Sequence, residues 1–299
     1  MSEKFQGMTN KFTGVGPALI TPFKEDLSID FEGLENLLKH VAHADYWVVQ
    51  GTTGESATTT REEKQSILDF VKKHNPNKLP LVYGIGGNNT QGVIDELNTM
   101  NLDGVDAILS ASPYYNKPSQ EGIYRHYSAI ADASPVPLIL YNVPGRTASN
   151  ISAGTTLRLA QHANIIGVKE ASGNMEQCMK IASEKPESFL LISGDDMLTT
   201  SLISLGAVGV ISVMANAFPS VFSKMTHSAL KGDYAQANEN LFKLLDINPL
   251  MYEESNPVGV KEVLHQFKIC KHFVRLPLVP ATVELQQKIK TALSAHSLT

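Results

Sequence analysis

The chain has only two cysteines in 299 residues, Cys178 and Cys270. Neither lies in a CxxC or other metal-spaced pair, so no disulfide framework or thiolate metal site organises the fold, and a reducing cytoplasm is the expected setting. Charge of one sign is also lacking. The net charge is −5 and Lys and Arg form no cluster, which argues against nucleic acid or an anionic membrane as the main partner. No apolar run approaches 18 residues, and Met1–Asn10 has no apolar leader core, so neither membrane spanning nor secretion is expected. A GxSxG serine elbow and an HExxH helix are both missing. Gly84-x-Gly86 lacks the third glycine and later acidic partner of a dinucleotide loop. His40 and His43 have no helical Glu-x-x-His beside them, and Asp195-Asp196 has no clear third ligand nearby in sequence, so no metal is expected.

What is present is a large apolar core and a regular alternation. Hydrophobic residues make up 42% of the chain and charged ones 18%, the balance of a globular domain. Apolar runs recur at Val15–Ile20, Trp47–Val49, Leu81–Ile85, Ala107–Leu109, Val136–Tyr141, Ile165–Val168, Phe189–Ile192 and Val208–Val213. Helical segments separate them. Phe31, Leu34, Leu37, Leu38 and Val41 share one helix face behind an Asp30 cap. Thr60 to Glu63 reads as a capping box, Ser119 and Ser152 as caps, and Pro219 as the start of a helix that Lys231-Gly232 closes. Eight strands alternating with helices imply a (β/α)8 TIM barrel, with an open doubly wound sheet as the competing arrangement. After residue 232 only helical segments follow, at Tyr234–Tyr252, Pro257–Phe267 and Thr282–Leu293. The expected organisation is a barrel over 1–231 and a C-terminal helical extension over 232–299.

In such a barrel the chemistry sits at the carboxyl ends of the strands. The run Ile165–Glu170 ends there in Lys169. Burial disfavours an ammonium, and a free amine attacks a carbonyl to form a Schiff base. Gly51-Thr52-Thr53-Gly54-Glu55 follows the second strand with hydroxyls and turning N–H groups suited to a carboxylate. Tyr114 and Tyr115 follow the fourth strand, where packing is the ordinary use of paired tyrosines. Tyr141 ends the fifth, and Arg146 follows in a Pro-Gly turn suited to bidentate carboxylate binding.

Five runs carry a resemblance: GTTGE at Gly51–Glu55, PYYN at Pro113–Asn116, YNVPGRT at Tyr141–Thr147, GVKE at Gly167–Glu170 and SGDD at Ser193–Asp196. With these the chain resembles the dihydrodipicolinate synthase family of the pyruvate-dependent class I aldolases, from Phe12 to Leu293. The resemblance implies that Lys169 condenses with pyruvate and that the resulting enamine attacks the aldehyde of L-aspartate 4-semialdehyde. The adduct then cyclises on the route to diaminopimelate and lysine. It implies Tyr141 as the acid/base, Thr52 and Tyr115 as its proton relay, and Thr52 with Thr53 as the pyruvate carboxylate site. It further implies that Arg146 holds the carboxylate of the aldehyde substrate and that Gly194 and Ile211 line the pocket. No metal or organic cofactor is implied. Tyr115 is expected to cross from a neighbouring subunit of a homotetramer built from two dimers. At positions where lysine-inhibited members hold their ligand, this chain has Gly92 and Lys64, so insensitivity to L-lysine is expected.

Three other readings compete. A sialic acid or 2-keto-3-deoxy sugar-acid aldolase shares the scaffold but usually lacks an arginine matching Arg146. A catalytically idle barrel conflicts with the intact set Thr52, Tyr115, Tyr141, Arg146 and Lys169. A nucleotide enzyme would have to use the weak Gly84–Gly87 loop.

Overall fold

The structure, a computed structural model, describes residues 9–296. The first eight residues, part of the stretch read above for a leader, lie outside it. Eight strands alternate with helices: β1 (Gly14–Pro17), β2 (Trp47–Val49), β3 (Leu81–Gly84), β4 (Ala107–Ala111), β5 (Leu138–Asn142), β6 (Ile165–Glu170), β7 (Leu190–Ser193) and β8 (Gly209–Ser212). They form one sheet in the order β1-β8-β7-β6-β5-β4-β3-β2. A parallel bridge between Ala18 and Val48 brings the end of β1 back to β2. A parallel order that returns to its first strand is the (β/α)8 barrel expected from the sequence. β1, β2 and β5 to β8 are buried at every residue, as strands covered on both faces must be. Among the described residues no helix is long and apolar enough to cross a membrane.

The chain forms two compact units, one holding Pro80–Ile211 with the segment up to Gly14, the other Val15–Leu79 with the residues from Ser212 onward. In the first, β3 to β7 pair in sequence order. Gly14 N donates to Val208 O at 2.9 Å. Gly209 there has φ +151°, and a Cβ on it would lie 2.0 Å from Gly14 O, so only glycine lets the strands approach. In the second unit Ala18 N donates to Ser212 O at 2.8 Å and Leu19 N to Val48 O at 2.9 Å. The Asn216 side chain ties the same segment, donating to Ala18 O at 2.8 Å and accepting from Ile20 N at 3.1 Å.

The caps fall where the sequence puts them. Asp30 caps the helix Phe31–His40, and Thr60 and Glu63 close a full capping box on Arg61–Lys73. Ser119 and Ser152 cap Gln120–Ala133 and Ala153–Leu159, and Pro219 opens a helix that ends at Leu230. One helix differs from expectation. The run read as Tyr234–Tyr252 is helical only over Tyr234–Phe242, then turns into a 3₁₀ segment at Pro249–Met251. The chain tightens before the proline, with Leu244 N and Leu245 N bonding three residues back, to Leu241 O at 3.0 Å and Phe242 O at 3.4 Å, and Pro249, which has no N–H, keeps the helix from resuming. Leu244, Ile247 and Met251 nonetheless stay buried, so the apolar periodicity survives without the helix. The remaining helices, Val258–Gln266 and Val283–Ala295, end within two residues of expectation.

Candidate active site

Lys169 lies near the carboxyl end of β6 and is only 5% exposed. Its register partner on β5 is Tyr141, itself 8% exposed. Lys169 Nζ sits over the phenol ring, 4.3 Å from its centroid. Among the described residues Nζ has neither a carboxylate nor a hydrogen-bond acceptor. This buried amine is held by an aromatic face and not by an ion pair, which leaves its lone pair, once deprotonated, uncommitted. On the other flank Lys169 pairs with Ile192 of β7, and Gly194 follows that strand. Gly194 N donates to Glu170 O at 2.8 Å. A Cβ on Gly194 would meet Lys169 Cε at 2.9 Å, Lys169 Cγ at 3.0 Å and Ala171 Cβ at 2.7 Å. The glycine therefore makes room for the lysine stem, a tighter role than the pocket lining expected of it.

One rung on, Asn142 pairs with Glu170. Successive residues of a strand face opposite sides, so these two turn away from the Tyr141–Lys169 pair. The Glu170 carboxylate is buried and takes hydrogen bonds from Asn142 Nδ2, at 3.1 and 3.0 Å, from Ser172 N at 2.8 Å and from Gln177 Nε2 at 2.9 Å. Asn142 Oδ1 in turn accepts from Ile151 N at 2.9 Å. This clamp was not read from the sequence, although a glutamate directly after the strand-end lysine was a visible sign of it.

Of the other expected residues in this unit, Ile211 is buried in β8. Arg146 is exposed in the short helical turn Pro144–Thr147, and its backbone N donates to Val143 O at 2.9 Å. Tyr115 is 88% exposed with φ +73°, and its phenol has no partner among the described residues. Within one chain Tyr115 therefore does not join the Tyr141–Lys169 pair. Asp195 Oδ1 accepts from Met197 N at 3.0 Å and Leu198 N at 3.2 Å, closing a turn. Burial, with the Glu170 charge second, pushes the Cys178 thiol up to about 12, so it is no rival nucleophile.

The Gly51–Glu55 loop belongs to the second unit and is rigidly built. It is bracketed by two non-glycine residues in the left-handed region, Gln50 at φ +57° and Glu55 at φ +53°, a conformation that persists only where the surroundings fix it. Thr21 Oγ1 donates to Gly54 O at 2.6 Å, and the Gln50 side chain links Thr21 and Thr59. Gly54 N and Glu55 N close turns onto Gly51 O and Thr52 O at 3.1 and 3.0 Å. The N–H groups of Thr52 and Thr53 donate to no other group among the described residues, which suits them to an anion.

A buried lysine outside the expected set stands behind this loop. Lys261 is fully buried, forms an ion pair with Glu55 and donates to Phe273 O at 2.8 Å. Burial pushes its ammonium below the ordinary lysine range, and the Glu55 charge opposes that push. Two adjacent charged residues, Lys261 and Glu262, inside the otherwise apolar run Val258–Leu264 are the sequence sign of buried charge here.

The sequence profile of the Dihydrodipicolinate synthetase family matches residues 11–296. The chain belongs to that family. It is 52% identical to a 4-hydroxy-tetrahydrodipicolinate synthase of Cytophaga hutchinsonii over 283 residues, 94% of this chain and 95% of the relative. Among solved members of the family, a monomeric dihydrodipicolinate synthase variant superposes with a TM-score of 0.94 at 32% identity, covering 97% of this chain and 99% of the other. The enzyme of Cyanidioschyzon merolae, solved with lysine bound, superposes with a TM-score of 0.92 at 36% identity, covering 97% and 100%.

Proposed function

We propose that this chain is a lyase-class enzyme that condenses pyruvate with L-aspartate 4-semialdehyde, as a 4-hydroxy-tetrahydrodipicolinate synthase does. The observation that carries the reading is the buried Lys169 amine, unpaired and set over Tyr141 at 4.3 Å, in a chain about half identical to enzymes of that name. Lys169 Nζ attacks the keto carbon of pyruvate, and loss of water leaves the Schiff base. Removal of a methyl proton gives the enamine, whose carbon bonds to the aldehyde carbon. The amino group of the adduct then attacks the lysine-bound carbon and expels Nζ, which releases the cyclic product and restores the enzyme. Each step needs a proton donor or acceptor within reach, the role we assign to Tyr141, with Thr52 and Tyr115 as its relay.

Thr52 and Thr53 take the pyruvate carboxylate in this reading. Arg146, exposed and without a partner among the described residues, takes the carboxylate of the semialdehyde, and Gly194 and Ile211 bound the pocket. The chemistry runs on the lysine itself, with no metal or organic cofactor. The exposed Tyr115 supports a site shared between subunits, which we assign to a homotetramer, and we place the enzyme in the cytoplasm. Gly92 and Lys64 support weak or absent inhibition by L-lysine.

The deciding experiment is mass spectrometry after borohydride reduction with pyruvate. One reduced pyruvate adduct on Lys169 is expected, together with turnover of aspartate semialdehyde and none of sialic acid. Equal labelling of Lys169→Ala overturns the assignment.

A further inference from the structure

We propose that Asn256 is a positioning residue that fixes the direction of the Thr53 hydroxyl, so that it presents its proton to the carboxylate of the bound keto acid. The proposal rests on the functional reading above. Asn256 Nδ2 donates to Thr53 Oγ1 at 3.1 Å, and both residues are buried, at 5% and 3% exposure. A hydroxyl has one proton and two lone pairs. With a lone pair taken by the amide, the proton is turned away from Asn256, and among the described residues no acceptor receives it. Asn256 Oδ1 is itself buried and meets no donor among the described residues, so the bond to Thr53 is the side chain's one hydrogen bond among them.

The segment that carries Asn256 also fixes the rest of the loop. Five residues later Lys261 meets the Glu55 carboxylate. Arg275 N donates to Glu55 Oε2 at 3.0 Å, and the Arg275 guanidinium donates to Thr58 O at 2.8 Å. The same guanidinium is held by both Glu63 oxygens, at 2.7 and 2.6 Å. These contacts hold the loop, and Asn256 is the one member of this segment, among the described residues, that reaches a side chain expected to touch substrate. It sets the polarity of an anion site already placed by the others.

The test is the pyruvate concentration that half-saturates borohydride trapping, with KM and kcat measured alongside. Asn256→Ala frees the hydroxyl to rotate. It should raise KM for pyruvate roughly tenfold, with kcat at saturation and KM for the semialdehyde within about twofold. Asn256→Asp offers only an acceptor, draws the Thr53 proton to itself and adds a negative charge. It should raise KM for pyruvate at least about a hundredfold. In a Thr53→Val background Asn256→Ala should have no further effect on KM, because its influence passes through that hydroxyl. A merely structural residue would instead give additive losses and lower kcat. Trapping of the parent chain with unchanged half-saturation in both Asn256 variants overturns this proposal alone, as does Asp no worse than Ala. Failure of pyruvate to trap the parent chain overturns the functional reading beneath it.

Discussion

Tyr141 and Lys169 occupy matching positions on neighbouring parallel strands, and the amine lies over the centre of the phenol ring at 4.3 Å. The next rung turns to the other side of the sheet and holds Asn142 against the buried Glu170 carboxylate. The reactive pair is thus placed by a polar clamp on the face it does not use. Glu170→Ala removes the acceptor of Ser172 N and leaves Asn142 Nδ2 and Gln177 Nε2 only Asn150 Oδ1, at 2.9 and 3.3 Å. The expected loss is on the order of 2–3 kcal/mol of stability, read from urea unfolding. A loss below about 1 kcal/mol would show the clamp to be dispensable.

Gly194→Ala drives a methyl group to within 2.9 Å of Lys169 Cε. The lysine stem must shift, and a displacement near 1 Å costs about a hundredfold in rate. The expected outcome is a hundredfold or greater fall in kcat/KM and slowed pyruvate trapping, with a lowered melting temperature as well, because the new methyl also meets Ala171 Cβ at 2.7 Å. Unchanged trapping kinetics would contradict the crowding argument.

Arg146 carries no structural partner among the described residues, so its removal should leave the fold and the pyruvate adduct intact. Arg146→Ala should weaken transition-state binding of aspartate semialdehyde by about 2–4 kcal/mol. The check is kcat/KM for that substrate beside borohydride labelling by pyruvate. Equal values for parent and variant would remove Arg146 from the site.

His126 is buried, with Nδ1 sharing a hydrogen bond with Thr90 Oγ1 at 2.9 Å and Nε2 without a partner among the described residues. Burial pushes the ring down from 6.5 to about 4. The folded value lies below the unfolded one, so the unfolded chain takes up the proton first as pH falls. The stabilising contribution is intact above about pH 6.5, declines between about 6.5 and about 4, and is gone below, a loss of at most about 3 kcal/mol. His126→Phe should flatten that part of the curve of unfolding free energy against pH. Parallel curves for the two proteins would assign the acid loss to other groups.

Gly92 offers no side chain for a ligand ammonium, and Lys64 places a cation on the helix Arg61–Lys73, where like charge disfavours a cationic ligand. Condensation activity titrated with L-lysine should therefore stay flat through the submillimolar range. Strong inhibition there would show that these two positions do not govern the response.

The sequence shows most clearly what is local. Asp30, Thr60, Ser119 and Ser152 cap helices because a cap needs only the three residues after it. Lys169 stands out because its strand is apolar up to that point. The Tyr234–Tyr252 run misleads because apolar spacing continues through Leu244, Ile247 and Met251, while the backbone beneath it leaves the α-helix after Phe242. Long-range polar pairs are the least legible. Glu170 and Asn142 are 28 residues apart, and Asn256 and Thr53 are 203 apart. No periodicity connects them, since each is defined by strands and turns that meet only in the folded chain. Lys261 shows the difficulty most plainly, because charge inside the apolar run Val258–Leu264 announces burial without naming its partner, and the adjacent Glu262 is not that partner.

The ion pair between Glu55 and Lys261, with Arg275 N on the other carboxylate oxygen, joins positions 206 and 220 residues apart. During synthesis the Gly51–Glu55 loop therefore leaves the ribosome long before the residues that complete it. At about 5–20 residues per second the wait is roughly 10–40 s. A nascent chain can lay down β1 to β8 and still lack the ion pair and the backbone donor that fix this loop. Competence to hold a substrate anion is in this way deferred to the last stretch of translation, and a message cut short before Arg275 yields strands without a finished catalyst.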